Sequence, residues 1–213
     1  MGILTNGPHG KMKGRTGNLV GRATKHGNVI SARPHVSNKP ASDDQLDVRG
    51  KLAMMSSFLS MIPTVINNGF KKYTSKMSAM NAAMKYNLKN AVYKNEEYFE
   101  IDISKVVLSK GPLFPPEEAA VTSEPGQKIV ISWLPEPEDT EYNAENDMVT
   151  IVIYNPTHNQ FTTAVNKAIR SDGIYTMQLS TYYEGDVVHC YMNFTSEKGK
   201  VSDSVYIGET LVI

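Results

Sequence analysis

Tyr98-Phe99-Glu100-Ile101-Asp102-Ile103 marks the place where the chain changes its period. Before it, apolar residues recur at three- and four-residue steps, as on one face of a helix. From it onward they alternate, as on a half-buried strand. Upstream, Leu46, Leu52, Ala53, Met54, Met55, Phe58 and Met61 predict a helix over 43–61. Its start carries Ser42 as cap, Asp43 and Asp44 in the first turn, and Gln45 in the place a capping box requires. Pro63 suits the first turn of a second helix, 63–73. Met77, Met80, Ala83, Met84, Leu88 and Val92 predict a third, 76–93. The six methionines between 54 and 84 suit an irregular packed interface.

Downstream, alternation predicts strands at 98–103, 105–109, 127–134, 147–154, 160–166, 174–180, 186–195 and 201–212. Gly111-Pro112-Leu113-Phe114-Pro115-Pro116 is a rigid connection, and Glu197-Lys198-Gly199-Lys200 is a hairpin turn. The spacing is that of an antiparallel sandwich of the immunoglobulin-like kind. Trp133 and Cys190 lie in apolar stretches and are expected in the core.

Upstream of residue 43 the composition changes again. Residues 1–42 hold seven glycines, no acidic and no aromatic side chain. The echo Gly17-Asn18-Leu19-Val20 and Gly27-Asn28-Val29-Ile30 pairs a turn signal with a short β run twice. It predicts strands at 17–23 and 27–33, a hairpin within an otherwise extended arm. So few aliphatic residues cannot offset the ordering entropy alone. The expected class is therefore α+β in three parts: a basic arm with a hairpin (1–42), a short helical segment (43–95) and an acidic sandwich (96–213).

The formal charge is zero, but its distribution is not even. Residues 1–95 carry fifteen Lys/Arg against three Asp/Glu, and residues 96–213 carry seven against nineteen. The basic half suits an acidic partner, either nucleic acid or the acidic half of another copy. The residues expected to touch that partner are Lys11, Lys13, Arg15, Arg22, Lys25 and Arg33. Their acidic counterpart would be Glu136, Glu138, Asp139 and Glu141.

Chemistry is sparsely signalled. The five histidines have no metal-ligand spacing, and the acidic loop lacks the pattern of a calcium loop. Gly10-Lys11-Met12-Lys13-Gly14-Arg15-Thr16-Gly17 is glycine-rich but departs from the phosphate-binding loop. Adjacent His189 and Cys190 point to opposite faces of a strand. Tyr142, Tyr182 and Tyr183 could stack on a sugar, although packing is their commoner use. No cofactor, metal, membrane segment or small-molecule substrate is expected. The first residues lack a signal-peptide pattern and the longest apolar run is far short of a membrane span.

Several segments taken together resemble a family catalogued as a domain of unknown function and common in Bacteroidetes genomes. They include Gly17-Asn18-Leu19-Val20-Gly21, Arg33-Pro34 with Asn38-Lys39-Pro40, and Gly69-Phe70-Lys71. Met77-Ser78-Ala79-Met80-Asn81-Ala82-Ala83, Tyr154-Asn155-Pro156 and Phe194-Thr195-Ser196-Glu197-Lys198-Gly199-Lys200 belong with them. The resemblance implies a bacterial host, with a link to phages or prophages, and no catalytic residues. Composition and resemblance together lead to the expectation of a non-enzymatic assembly protein, such as a virion component, found in a virion or the bacterial cytoplasm. Such a subunit would form a homo-oligomer or join other subunits of a particle. The alternative is a nucleic-acid-binding protein that uses its basic half.

Overall fold

The computed structural model describes residues 3–8, 10–24, 27–35, 39–73, 77–95, 98–135 and 142–213. It divides into two compact units, Met1–Ser42 and Asp43–Ile213. The first is a four-stranded antiparallel sheet in sequential order: β1 (Ile3–Pro8), β2 (Met12–Thr16), β3 (Leu19–Thr24) and β4 (Gly27–Ala32). The expected hairpin is β3–β4. The rest of the expected extended arm is instead two further strands of the same sheet. Gly17 opens the two-residue loop between β2 and β3 with φ of +56°, a conformation open to glycine and costly for most other residues. The second Gly-Asn pair lies inside β4 and makes no turn.

The second unit is built around one sheet with both faces buried. Its strands are β9 (Met148–Asn155), β10 (Gln160–Ile169), β12 (Val187–Thr195) and β13 (Val205–Leu211), in the order β10-β9-β12-β13. In β12 the alternation sends Val188, Cys190, Met192 and Phe194 to one core and Tyr191 to another. Its partner β9 does the same, with Val149, Ile151 and Ile153 on one side and Val152 and Tyr154 on the other. Register pairs like with like: Cys190 with Ile153, and Tyr191 with Val152.

One face meets a three-stranded sheet, β7 (Ala120–Glu124), β8 (Lys128–Ser132) and β11 (Ile174–Gln178), ordered β11-β8-β7. Ile129, Ile131 and Met177 from that sheet, with Trp133 just beyond β8, complete the core between the sheets. The other face meets helices α1 (Asp43–Ser60), α2 (Pro63–Gly69) and α3 (Ala79–Asn90). Phe58 of α1 sits edge-on to Tyr154 and Phe161, at centroid distances of 5.0 and 5.1 Å. Only the C-terminal half of α1 is covered. Met55, Phe58 and Leu59 are buried, whereas Leu46, Val48 and Leu52 are exposed.

Three expectations are corrected. Val92 and Tyr93, expected in the third helix, instead join Lys94 in β5 (Val92–Lys94), which pairs with β6 (Phe99–Ile101). The strand β7 follows a polar, proline-rich run that reads as loop. Residues 105–109 join no sheet, although Val106 and Leu108 are buried. Side chains satisfy that segment's backbone in place of a neighbouring strand. The Val107 N–H donates to Asn87 Oδ1 at 2.8 Å, and the Val107 carbonyl accepts from Asn87 Nδ2 at 2.8 Å. The Leu108 N–H donates to Ser204 Oγ, also at 2.8 Å. Gly69 permits this close approach, since a Cβ there would stand 2.3 Å from the Leu108 carbonyl oxygen.

A buried ion pair closes one end of the sandwich. Arg170 is 1% exposed, and its Nη2 lies 3.3 Å from Asp147 Oδ2. The same nitrogen donates to the Phe114 carbonyl at 3.1 Å, and the guanidinium covers the Phe194 ring at 3.7 Å. The Arg170 carbonyl accepts from the Trp133 indole at 2.7 Å. Removing the cation strands Asp147 as an unpaired buried charge. Arg170→Ala is expected to lower unfolding stability by about 3–5 kcal/mol in urea titration. Lys167→Ala, on an exposed position of the preceding strand, should leave it within about 0.5 kcal/mol.

Candidate functional site

The N-terminal sheet gathers the sequence-expected cations, and its register sorts them by face. Residues directly paired across antiparallel strands share a face, and neighbours along a strand alternate. Arg15 pairs with Val20, Val20 with Ser31, and Arg22 with Val29. These five therefore lie on one face. The Arg33 N–H donates to the Asn18 carbonyl at 2.7 Å, which carries the same alternation one step past β4 and adds Arg33. Lys13 alternates with Met12, whose side chain lies over Gly21 on the opposite face.

That opposite face is apolar. Leu19 pairs with Ala32, Gly21 with Ile30, and Ala23 with Asn28. Met12 closes over Gly21, where a Cβ would stand 2.7 Å from Met12 Cγ, and is itself buried. With its amide oriented to match the donors and acceptors around it, Asn28 donates to the Met12 carbonyl and accepts from the Met12 N–H. Leu19 and Ile30 nevertheless stay 47% and 54% exposed. Lys11, Lys13, Arg15, Arg22 and Arg33 are all exposed. A cleft of about 490 Å³ runs beside Arg33, lined also by Asn18, Ala32, Pro34 and His35. Lys25 and the acidic candidates Glu136, Glu138, Asp139 and Glu141 fall outside the described residues.

The second unit offers other groupings. His158 stacks on Tyr183 with ring centroids 5.8 Å apart, and its Nε2 lies 3.1 Å from Asp186 Oδ2. Tyr182 meets both rings edge-on. Thus Tyr182 and Tyr183 come together. Tyr142 lies under Lys200 in a different cleft, with Lys71, Lys72 and Lys198. That cleft joins lysines from both halves of the sequence, so the linear charge split is not a split between the units. Residues 1–42 carry seven Lys/Arg and no acid, and residues 43–213 carry fifteen against twenty-two Asp/Glu.

An apolar cleft of about 390 Å³ is lined by Phe70, Tyr73 and Tyr86 with Lys85, Lys89 and Lys110. There Lys110 is tied to Asp203 at 3.1 Å, which raises its pKa. Among the described residues no cluster of His, Cys, Asp and Glu has the size of a metal site, and no helix is long and apolar enough to cross a membrane.

His189 and Cys190 point to opposite faces, as alternation requires. His189 packs by Tyr154 and Tyr206, and burial lowers its pKa. Cys190 is wholly buried between the sheets, and desolvation pushes its thiol up to about 12. The raised value means the folded state resists ionisation. The thiol's contribution to stability is whole below its ordinary pKa of 9.0 and is lost as pH rises towards 12. Wild type should therefore lose about 1.4 kcal/mol more stability per pH unit in that window than Cys190→Ala, in paired urea titrations. A thiol reagent at neutral pH should label the wild type only after unfolding.

The family of unknown function DUF6266 matches residues 10–208, so the chain belongs to that family. No curated protein matches it. Among solved structures, the fn3 domain of the human collagen alpha-1(XX) chain is similar at 12% identity and a TM-score of 0.37. That likeness covers 47% of this chain and 85% of that one.

Proposed function

We propose that this member of DUF6266 is a non-enzymatic assembly protein that self-associates through its N-terminal sheet. It would serve as a subunit of a particle, of the phage or prophage-derived kind that the family resemblance implies. The observation that carries the reading is the uncovered apolar face of that sheet. A four-stranded sheet needs a covered apolar face to be stable, and among the side chains described in β2 to β4 Met12 is the one large one buried against it. Leu19 and Ile30 are diagonal neighbours on that face and stand in solvent. A second copy of the same sheet would cover them, with the exposed Ala23 and Ala32 leaving room for close approach.

Two further features support the reading. The strand β4, Gly27-Asn28-Val29-Ile30-Ser31-Ala32, is an edge with no charge and no proline, the composition that invites strand pairing. The charges of the two units also complement one another. The second unit, three strands facing four, is of the immunoglobulin-like sandwich class, a frame that serves as an interaction module in many proteins.

The test is the solution mass of the full chain by light scattering across concentration and salt. A discrete oligomer is expected, with Leu19→Lys/Ile30→Lys reducing it to monomer while circular dichroism stays unchanged. Association that survives high salt assigns the contact to the apolar face. Association lost at high salt in the wild type assigns it to the charge complement of the units. A wild type that stays monomeric at every concentration overturns self-association.

A further inference from the structure

From the sidedness of the N-terminal sheet we infer a second binding surface: its cationic face holds the phosphate backbone of duplex nucleic acid, without reading sequence. Arg15 in β2, Arg22 in β3 and Arg33 one step past β4 share one face. With strands about 4.8 Å apart and a rise of about 3.3 Å per residue, Arg15 lies about 8 Å from Arg22 and about 12 Å from Arg33. This is a triangle on the scale of neighbouring phosphates rather than a single anion pocket. Among the described residues, Lys13, Arg15, Arg22 and Arg33 form no ion pair with an acidic side chain. Residues 1–42 supply no carboxylate that could form one.

The chemistry of the face selects among polyanions. An interface with a folded acidic protein needs an apolar centre inside its charged rim. Here the large apolar side chains Leu19 and Ile30 belong to the other face, and among the residues whose burial is described in β2 to β4 the cationic one offers only Val29 and a half-buried Val20. A phosphate backbone is uniformly negative and needs no such centre. Guanidinium groups can grip its oxygens in pairs, with Ser31 adding a hydroxyl. No Phe, Tyr or Trp lies in residues 1–42, so the sheet offers bases no large stacking ring, and the contact is to backbone. The cleft beside Arg33, with Asn18 and His35, extends the surface with further polar groups.

This inference uses the face opposite the apolar one that carries the proposed self-association. The experiment is fluorescence anisotropy of the full chain with two short duplex DNAs of unrelated sequence, over a salt series. Equal affinity for both duplexes is expected, falling steeply with salt. Arg15→Gln/Arg22→Gln/Arg33→Gln should weaken binding about tenfold or more. It should also flatten the logarithmic salt slope by about 2.7, because three phosphates are no longer neutralised. The matching Arg→Lys triple variant should keep most of the slope, which separates lost charge from a misfolded sheet. Light scattering on the same samples keeps the two readings apart, since the glutamine variant should retain the wild-type mass.

Three results would overturn the inference. One is no duplex binding by the wild type at low salt. Another is a glutamine variant with unchanged slope. The last is displacement of the duplex by polyglutamate at equal charge, which would assign the face to an acidic protein.

Discussion

Everything in the second unit depends on one sheet having to satisfy two cores at once. Strands β9 and β12 present apolar side chains on both faces, so neither face can turn to water without exposing a core. A one-residue slip of β12 against β9 would put Tyr191 among the aliphatic residues between the sheets and Cys190 among the helices. The aromatic layer of Phe58, Tyr154 and Phe161 and the aliphatic layer of Ile129, Ile131, Ile151 and Ile153 differ in size and shape. That difference fixes the register more firmly than hydrophobicity alone. The Tyr191 hydroxyl adds a polar lock, donating to the Ile103 carbonyl at 2.6 Å across the helical side.

Much of this was legible because the signals are local. Pro63 and the three- and four-residue steps mark α1 to α3. Alternation marks β8 to β13, and Trp133 and Cys190 lie in the core as their neighbours imply. The failures share a cause. Val106-Val107-Leu108 has the composition of a strand, but its partner is the side chain of Asn87, twenty residues upstream, and no periodicity encodes such a bond. Ala120–Glu124 pairs as an ordinary strand, yet most of its residues are polar or small, so β8 and not its own pattern defines it. The apolar stripe of α1 was legible in full, but in its first half Leu46, Val48 and Leu52 are exposed.

The candidate site divides in the same way. The cations could be named from composition, and the β3–β4 hairpin from its echo. Their sidedness needed the pairing of Arg15 with Val20 and of Arg22 with Val29, which no single strand reveals. A bend in β2 also intervenes: Gly14 has φ of +94°, and regular pairing with β3 stops there. The chain then carries Met12 over Gly21. The small sheet thereby covers a little of its own apolar face and leaves the remainder for something else.

The division of charge between the units makes the chain a dipolar ion. Its formal net charge at neutral pH is zero, but the first unit carries an excess of seven positive charges and the second an excess of seven negative ones. Without net repulsion, opposite regions of neighbouring molecules attract at low ionic strength. Added salt screens that attraction over roughly 10 Å at 0.1 M. The protein should therefore salt in. Dialysis into water would cloud it, moderate salt would clear it, and its neutrality would be the cause of its poor solubility rather than a sign of inertness.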